Sequence, residues 1–453
     1  MTISSLSGGG NIAPVNIPTG YRWTNPPINI RRLDGRIVTD FDITIYKPTV
    51  VKTYYVDPIN GNNGNAGTIG APLLDVAVAL AKVDVDEVRL ILTADYIARG
   101  AKGWNNTQPT RSLSLINETG FRFICPSWNS SSIPTWTVNG TFGNVYQTVS
   151  SSANSSNVTD FKPSLYRVID SRVPSAFQFM IKVADLATVS ATPGSWFNDG
   201  TNTYVRAIDD RNLVGDIYMQ TTTNSNSGRF PSVNNATMYV KGVDFVGGRP
   251  WYSFLASTVT GTKLVAENCS FQCANVVGGS NGLNIAAFQD VYLYRCAAWN
   301  NGADDWNFHS FESDGTTPGT SPQVIAIECA NAGGGTTGSA NGSDNAFTAH
   351  DFCNAISINC NHGQSDDRAI AMTNSAHAWV LGGTCAQAKQ VAAAKESIAA
   401  LESANIWLDS VTASPGANPR WTAEQTTSKI SHYNSGPVVN APGALGKIKS
   451  YYG

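Results

Sequence analysis

Between residues 264 and 387 one short pattern returns five times: LVAENCSF, VYLYRCAAW, VIAIECANA, AISINCNHG and, more loosely, AWVLGGTCAQ. Each is an alternating run that reads as a strand and closes on a cysteine. Cys269, Cys296, Cys329, Cys360 and Cys385 stand 27, 33, 31 and 25 residues apart. Unequal intervals of this kind fit one supersecondary unit per repeat with loops of differing length, and units that repeat so stack into a solenoid. MYVKGVDFVGG (238–248) and IWLDSVTAS (406–414) continue the series, with Val243 and Val411 in the cysteine's place. The thiols are expected to stack inside the solenoid, since free Cys is among the most buried residue types. Strict alternation back from the cysteine puts Tyr292 and Tyr294, Ile325 and Ile327, and Ile356 and Ile358 on its face. The same alternation turns Arg295, Glu328 and Asn359 the other way.

Composition agrees with a β chain. Charged residues are 14% of 453, too few for long solvated helices, and a 42% hydrophobic content is ample for a core. The eight cysteines fit neither a metal knuckle nor a small disulfide scaffold, so no cofactor or metal is expected. A net charge of −3 without a Lys/Arg block argues against nucleic acid as a partner. No run of 18 apolar residues and no basic, then apolar, leader appears, so neither membrane insertion nor a signal peptide is expected.

Residues 1–53, rich in Gly, Pro, Ile and Asn, read as an arm or attachment segment, 54–415 as the solenoid and 416–453 as a tail or assembly segment. At Tyr54 begins YYVDPINGNNGNAGTIGAPLLDVAVALAKV: a strand, a Gly/Asn loop, and a helix opening near Pro72 with Leu73, Val76, Val78 and Leu80 on it. This entry resembles that of the pectate-lyase-like superfamily. The resemblance implies an all-β, right-handed parallel β-helix with an N-terminal capping helix. GSWFNDGTNTYVRAID (194–209) reads as a hairpin turning at Asn198, Asp199 and Gly200, and is similar to insertions in that superfamily. Residues 387–404, with Val391, Ile398 and Leu401 on one stripe, read as a helix.

Chemistry-bearing residues crowd one region. Four of the five histidines lie between 309 and 377, among many acids. After each strand-plus-Cys unit a Gly-containing turn delivers an Asp: GADDWNFH, GSDNAFTAH and GQSDDR. If those turns stack, Asp304 and Asp305, Asp344, and Asp366 and Asp367 share one edge at about 4.8 Å per coil. Glycoside hydrolysis needs two carboxyls, about 5–5.5 Å apart for retention and about 6.5–9.5 Å for inversion, and stacked turns can supply either spacing. Asp305 and Asp344 form the preferred pair. His309 and His350 are expected to orient acids or sugar hydroxyls, and Trp306 to line the groove. Glu312 and Glu328 are reserves, and Arg368 could serve an acidic sugar.

The segments around 289–364 resemble those of phage tailspike β-helices. That resemblance implies a depolymerase hydrolysing a bacterial surface polysaccharide, capsule or O-antigen, as a homotrimer on a virion tail, attached through the arm. A polysaccharide lyase and a non-catalytic glycan-binding fibre remain as alternatives, separated by product: unsaturated ends, new reducing ends, or neither.

Overall fold

The computed structural model describes residues 12–98, 102–104, 107–126, 135–149, 155–160, 178–213, 217–221, 226–247, 249–253, 259–274, 281–285, 289–310, 322–332, 345–363, 365, 367–385, 397–413, 421–423, 425–433, 435 and 447–450. Three long sheets run the length of the molecule, with twelve, nine and eight strands among the described residues. Their pairing is parallel throughout, and each central coil contributes one strand to each sheet. Gln289–Tyr294, Ala297–Trp299 and Trp306–Phe308 make one coil. The next strands, Gln323–Ile327, Ala330–Ala332 and Phe347–Ala349, pair with them in order. Asn354–Ile358, Asn361–His362 and Ile370–Met372 follow on the same plan. The chain is therefore a parallel β-helix.

The corner between the first and second sheets explains its shape. Gly242, Asn268, Arg295, Glu328, Asn359, Gly382 and Ser410 occupy the same place in successive coils, and all have φ between 51° and 70°. One left-handed residue turns the chain without breaking the ladder: Arg295 N–H donates to Ile327 O, Glu328 N–H to Ile358 O and Asn359 N–H to Leu381 O, each at 2.8–2.9 Å. That residue also resets the alternation. Val291 and Leu293, not Tyr292 and Tyr294, share the interior with Cys296, and Val324 and Ala326 share it with Cys329. The expectation that Tyr292, Ile325, Ile327, Ile356 and Ile358 point inward is corrected here. They belong to a second apolar cluster on the outer face of the first sheet.

The cysteine ladder itself is present. Cys269, Cys296, Cys329 and Cys360 are buried and free. Cys296 N–H lies 3.3 Å from the Sγ of Cys329, and Cys329 N–H 3.4 Å from that of Cys360. Each of Cys269, Cys296 and Cys360 also sets its Sγ at 3.3–3.5 Å from a carbonyl of the preceding coil. A small, weakly polar side chain suits a corner that is closely packed yet lined by peptide groups. Cys385 falls two residues off the ladder, paired with His362, and Gly383 takes the ladder position. Burial pushes the Cys125 and Cys385 thiols up to about 12, which keeps them protonated and inert.

The outer face of the first sheet is covered by the chain's own beginning. Parallel strands apolar on both faces require such a cover. Ile12–Pro14, Ile30–Leu33 and Arg36–Thr39 form a small antiparallel sheet. Tyr21, Trp23, Ile30, Ile37 and Ile43 pack on Tyr292, Ile325, Ile356, Trp379 and Trp407. Tyr21 Oη donates to Ala355 O at 2.8 Å, and Asn359 Nδ2 to Ile37 O at 3.0 Å. The helix expected from Pro72 is shorter, Val76–Leu80, and buries Val76, Ala79 and Leu80 in the core beside Thr53–Val56, the first strand of that sheet, while Leu73 precedes it and bridges to Val56. Beyond residue 415 the first sheet continues through Lys429–Tyr433 and Lys447–Ser450.

Two local expectations resolve differently. The hairpin Ser195–Asn198 with Asn202–Arg206 forms as read, Asp199 Oδ1 accepting from the N–H groups of Thr201 and Asn202 at 2.8 and 2.7 Å. It belongs to a mixed, mostly antiparallel sheet, which includes Tyr146–Val149, inserted between coils. Of the helix expected over 387–404, residues 387–396 lie outside the described residues. Ile398–Ala400 is a strand of the third sheet, because Ile398 and Ala400 are needed inside the solenoid.

Gly383 has φ 79°, and a Cβ there would sit 2.0 Å from Cys360 O. Gly383→Ala is expected to cost at least about 2 kcal/mol, from the left-handed backbone and the clash together. Chemical unfolding measures this, and an unchanged midpoint would contradict the packing described.

Candidate active site

The residues expected to form the site fall on three different corners. Glu328 stands at the corner between the first and second sheets, ion-paired with Arg295 at 2.8 Å. It is remote in the coil from the turn that carries Asp304 and Asp305, which leads from the second sheet to the third.

That turn does stack in three successive coils, since Asp305 N–H donates to Asn345 O at 3.0 Å and Ala346 N–H to Arg368 O at 2.9 Å. Its acids point into the protein. Asp305 is wholly buried and its Oδ1 accepts from Asn301 Nδ2 at 2.7 Å. Asp304 Oδ1 accepts from the backbone N–H of Asn345 at 2.6 Å and from its Nδ2 at 3.2 Å. Arg368 N–H donates to Asn345 Oδ1 at 3.1 Å, and Arg368 Nη1 to Asp367 Oδ2 at 2.9 Å. These acids fasten one turn to the next. Trp306 is in the core, edge-on to Phe347 at 5.7 Å and to His362 at 6.1 Å, and lines no surface. Glu312, Asp344 and Asp366 lie outside the described residues.

A second set of chemistry-bearing residues sits on the rim that follows the third sheet, where Asp351 and Ser310 are buried and His309 and Glu402 are more open. His309 and His350 occupy equivalent places in successive coils, their rings parallel within 5° and 4.1 Å apart. One residue further on come Ser310, Asp351, Asn374 and Glu402, in register because Phe308 pairs with Ala349, Ala349 with Met372 and Met372 with Ala400. Asp351, Asn374 and Glu402 have φ of 60°, 55° and 55°, a second stack of left-handed corners. Asp351 Oδ2 accepts from Ser310 N–H at 3.2 Å and lies 3.8 Å from His309 Nδ1. Asn374 joins the acids on either side of it: its Oδ1 accepts from Asp351 N–H at 3.2 Å, and its Nδ2 donates to Glu402 Oε2 at 2.7 Å. Glu402 and Phe352 are exposed at this edge.

His309 and His350 were legible in the sequence; Asp351, Asn374 and Glu402 were not singled out. Their signal is a fixed offset of two residues from the third-sheet strand, in F-H-S, A-H-D, M-T-N and A-L-E. Asp351 and Glu402 are the carboxyls the site brings to one rim. Two coils of about 4.8 Å set their backbones about 9.6 Å apart, nearer the roughly 6.5–9.5 Å between carboxyls that inversion uses than the roughly 5–5.5 Å of retention. Among the described residues no group of three or more His, Cys, Asp or Glu side chains is arranged to hold a metal ion.

No family model and no curated protein sequence matches the chain. Solved structures resemble it in shape. A complex of XylC with xylose aligns at 10% identity over 85% of this chain and 62% of its own, with a TM-score of 0.35. A protein described as a glycoside hydrolase aligns at 9% identity over 88% of this chain and 97% of its own, TM-score 0.37. The GH136 lacto-N-biosidase from Eubacterium ramulus aligns at 9% over 88% and 66%, TM-score 0.25. The chain thus spans under two thirds of the length of the first and third. With TM-scores below 0.5, none of the three bears on a residue or an activity of this chain.

Burial, and then the neighbouring His309, push the His350 imidazole down to about 3. Burial alone does the same to His362, which is wholly enclosed between Ser357 Oγ and Asn331 Oδ1, both at 2.9 Å. Both are neutral in the folded protein near pH 7, while in the unfolded chain they take up protons near pH 6.5. Stability is therefore fully present above about pH 6.5 and falls as the pH drops towards 3, by up to about 1.4 kcal/mol per unit for each histidine. Urea unfolding between pH 7 and 4 should show this slope, and His362→Gln should flatten it. A slope unchanged by the substitution would contradict the assignment.

Proposed function

We propose that this chain is a polysaccharide depolymerase that hydrolyses glycosidic bonds of a bacterial surface polysaccharide, with Asp351 and Glu402 as its carboxyl pair. The observation that carries this reading is their arrangement: two acids at the same rim position two coils apart, joined through Asn374, on a rigid solenoid edge. In the reaction one carboxyl gives its proton to the leaving oxygen while the other, a carboxylate, takes a proton from a water on the opposite side of the sugar ring. That water adds to the anomeric carbon as the glycosidic bond breaks. The spacing leaves room for the water, so inversion is expected. His350, neutral near pH 7, can hydrogen-bond sugar hydroxyls without bringing a charge beside the acids.

Asp304, Asp305, Asp367 and Arg368 act in this reading from the opposite end of the third-sheet strands, holding the turns in register. The homotrimeric, virion-borne assembly implied by the tailspike resemblance belongs to the same proposal. Light scattering that found a 48.2 kDa particle at micromolar concentration would remove the trimer.

The test is a panel of purified capsular and O-antigen polysaccharides, followed by viscosity and by the ends produced. Hydrolysis creates reducing ends without ultraviolet-absorbing unsaturation. On any polysaccharide cleaved, Asp351→Asn and Glu402→Gln should each lower the rate by at least about 100-fold with unchanged unfolding midpoints. Parental activity in both variants would overturn the site, and unsaturated ends would overturn hydrolysis.

A further inference from the structure

The arm contributes one side chain to this rim. Arg22, between the buried anchors Tyr21 and Trp23, reaches the corner that begins at Asp351. Its Nε donates to Asn354 Oδ1 at 3.2 Å, its Nη2 donates to Ser375 O, and its backbone N–H donates to His377 Nδ1 at 3.1 Å. The guanidinium lies over the Phe352 ring at 5.5 Å. Phe352 follows Asp351, and Ser375 follows Asn374, which bonds Glu402, so the residues that hold the cation adjoin the rim in sequence.

The partners of Arg22 are neutral. Arg32, Arg89, Arg122, Arg206, Arg295 and Arg368 each pair with a carboxylate. Arg22 has only neutral acceptors and an aromatic face, and Nη1 makes no hydrogen bond to the described residues. The guanidinium is thus fixed on one edge by the protein and open on the other, in a geometry that suits a carboxylate. Stacking on an aromatic ring holds the plane without cancelling the charge.

We infer that Arg22 and Phe352 form a subsite for an anionic sugar residue, so that the glycan this rim takes carries carboxylates. This rests on the depolymerase reading and narrows its substrate to acidic polysaccharides. The arm is then part of the binding surface as well as a cover for the first sheet. Charge provides the selectivity: a neutral glycan leaves the open edge of Arg22 in water, where it loses nothing, whereas a carboxylate gains a charge-assisted bond.

The experiment measures binding of oligogalacturonate and oligosialate, and of their carboxyl-reduced counterparts, to the full chain carrying Glu402→Gln, which prevents turnover. Arg22→Gln and Arg22→Lys are then compared in that background, with thermal unfolding as the control for the arm. The expected result is salt-sensitive binding of at least one acidic oligomer, weakened about tenfold or more by Arg22→Gln and less by Arg22→Lys. The carboxyl-reduced oligomers should bind more weakly and should not distinguish the variants. Equal binding of the acidic and reduced forms would overturn the inference. So would acidic binding indifferent to Arg22, or none at all. If Arg22→Gln does not fold, the comparison of acidic with reduced oligomers and the salt slope in the unsubstituted arm decide the matter. Cleavage of a neutral polysaccharide would overturn the anionic subsite and leave the hydrolase standing, whereas cleavage of nothing would count against the hydrolase itself.

Discussion

Everything in this molecule hangs on the parallel backbone ladder passing around corners without interruption. At the corner between the first and second sheets one left-handed residue per coil does this, its N–H still bonded to the next coil. A left-handed conformation costs an ordinary L-residue about 1–2 kcal/mol. The chain meets the cost with Gly or Asn at most coils, and at Arg295 and Glu328 with side chains that reach one another. Because every coil bends at the same place, side chains on either side of the bend repeat in register. The cysteine ladder, the apolar outer face and the rim of Asp351, Asn374 and Glu402 all follow from that.

The same constraint divides polar groups by role. In the turn from the second sheet to the third, Asp304, Asp305 and Asp367 are enclosed and meet the amides of Asn301 and Asn345 or the guanidinium of Arg368. Buried carboxylates without such donors would be costly, so pairing and burial come together. After the third sheet Asp351 is likewise buried and accepts from Ser310 N–H, whereas Glu402 stands exposed. One solenoid therefore carries two acid stacks, one wholly enclosed and one that runs from buried Asp351 to exposed Glu402.

The arm links these levels. Its apolar residues cover the outer face of the first sheet, which could not stay exposed, and in doing so carry Arg22 to the edge of the rim. A structural necessity thereby fixes a cation on Ser375 and Phe352, the residues that follow Asn374 and Asp351.

Much of this was legible in the residues alone. Repeated alternating strands ending in cysteine, with loops of unequal length, are enough to specify a parallel solenoid with Cys269, Cys296, Cys329 and Cys360 inside. The capping helix near Pro72 and the hairpin at Asp199 are local patterns with local causes, and they were readable for that reason. The facing of Tyr292 and Ile325 was not, since alternation counts residues and cannot register one that turns left-handed, although Asn268, Asn359, Gly242 and Gly382 mark the place in hindsight. Which acids are exposed was equally beyond the sequence. Asp304 and Asp351 are alike as residue types and in burial, and only the partners that the fold brings to each, Asn345 for one and Ser310 and His309 for the other, separate a fastening from a candidate catalytic group. Local chemistry fixes what a segment prefers, but burial and partnership are made by segments hundreds of residues apart, as between Arg22 and Ser375.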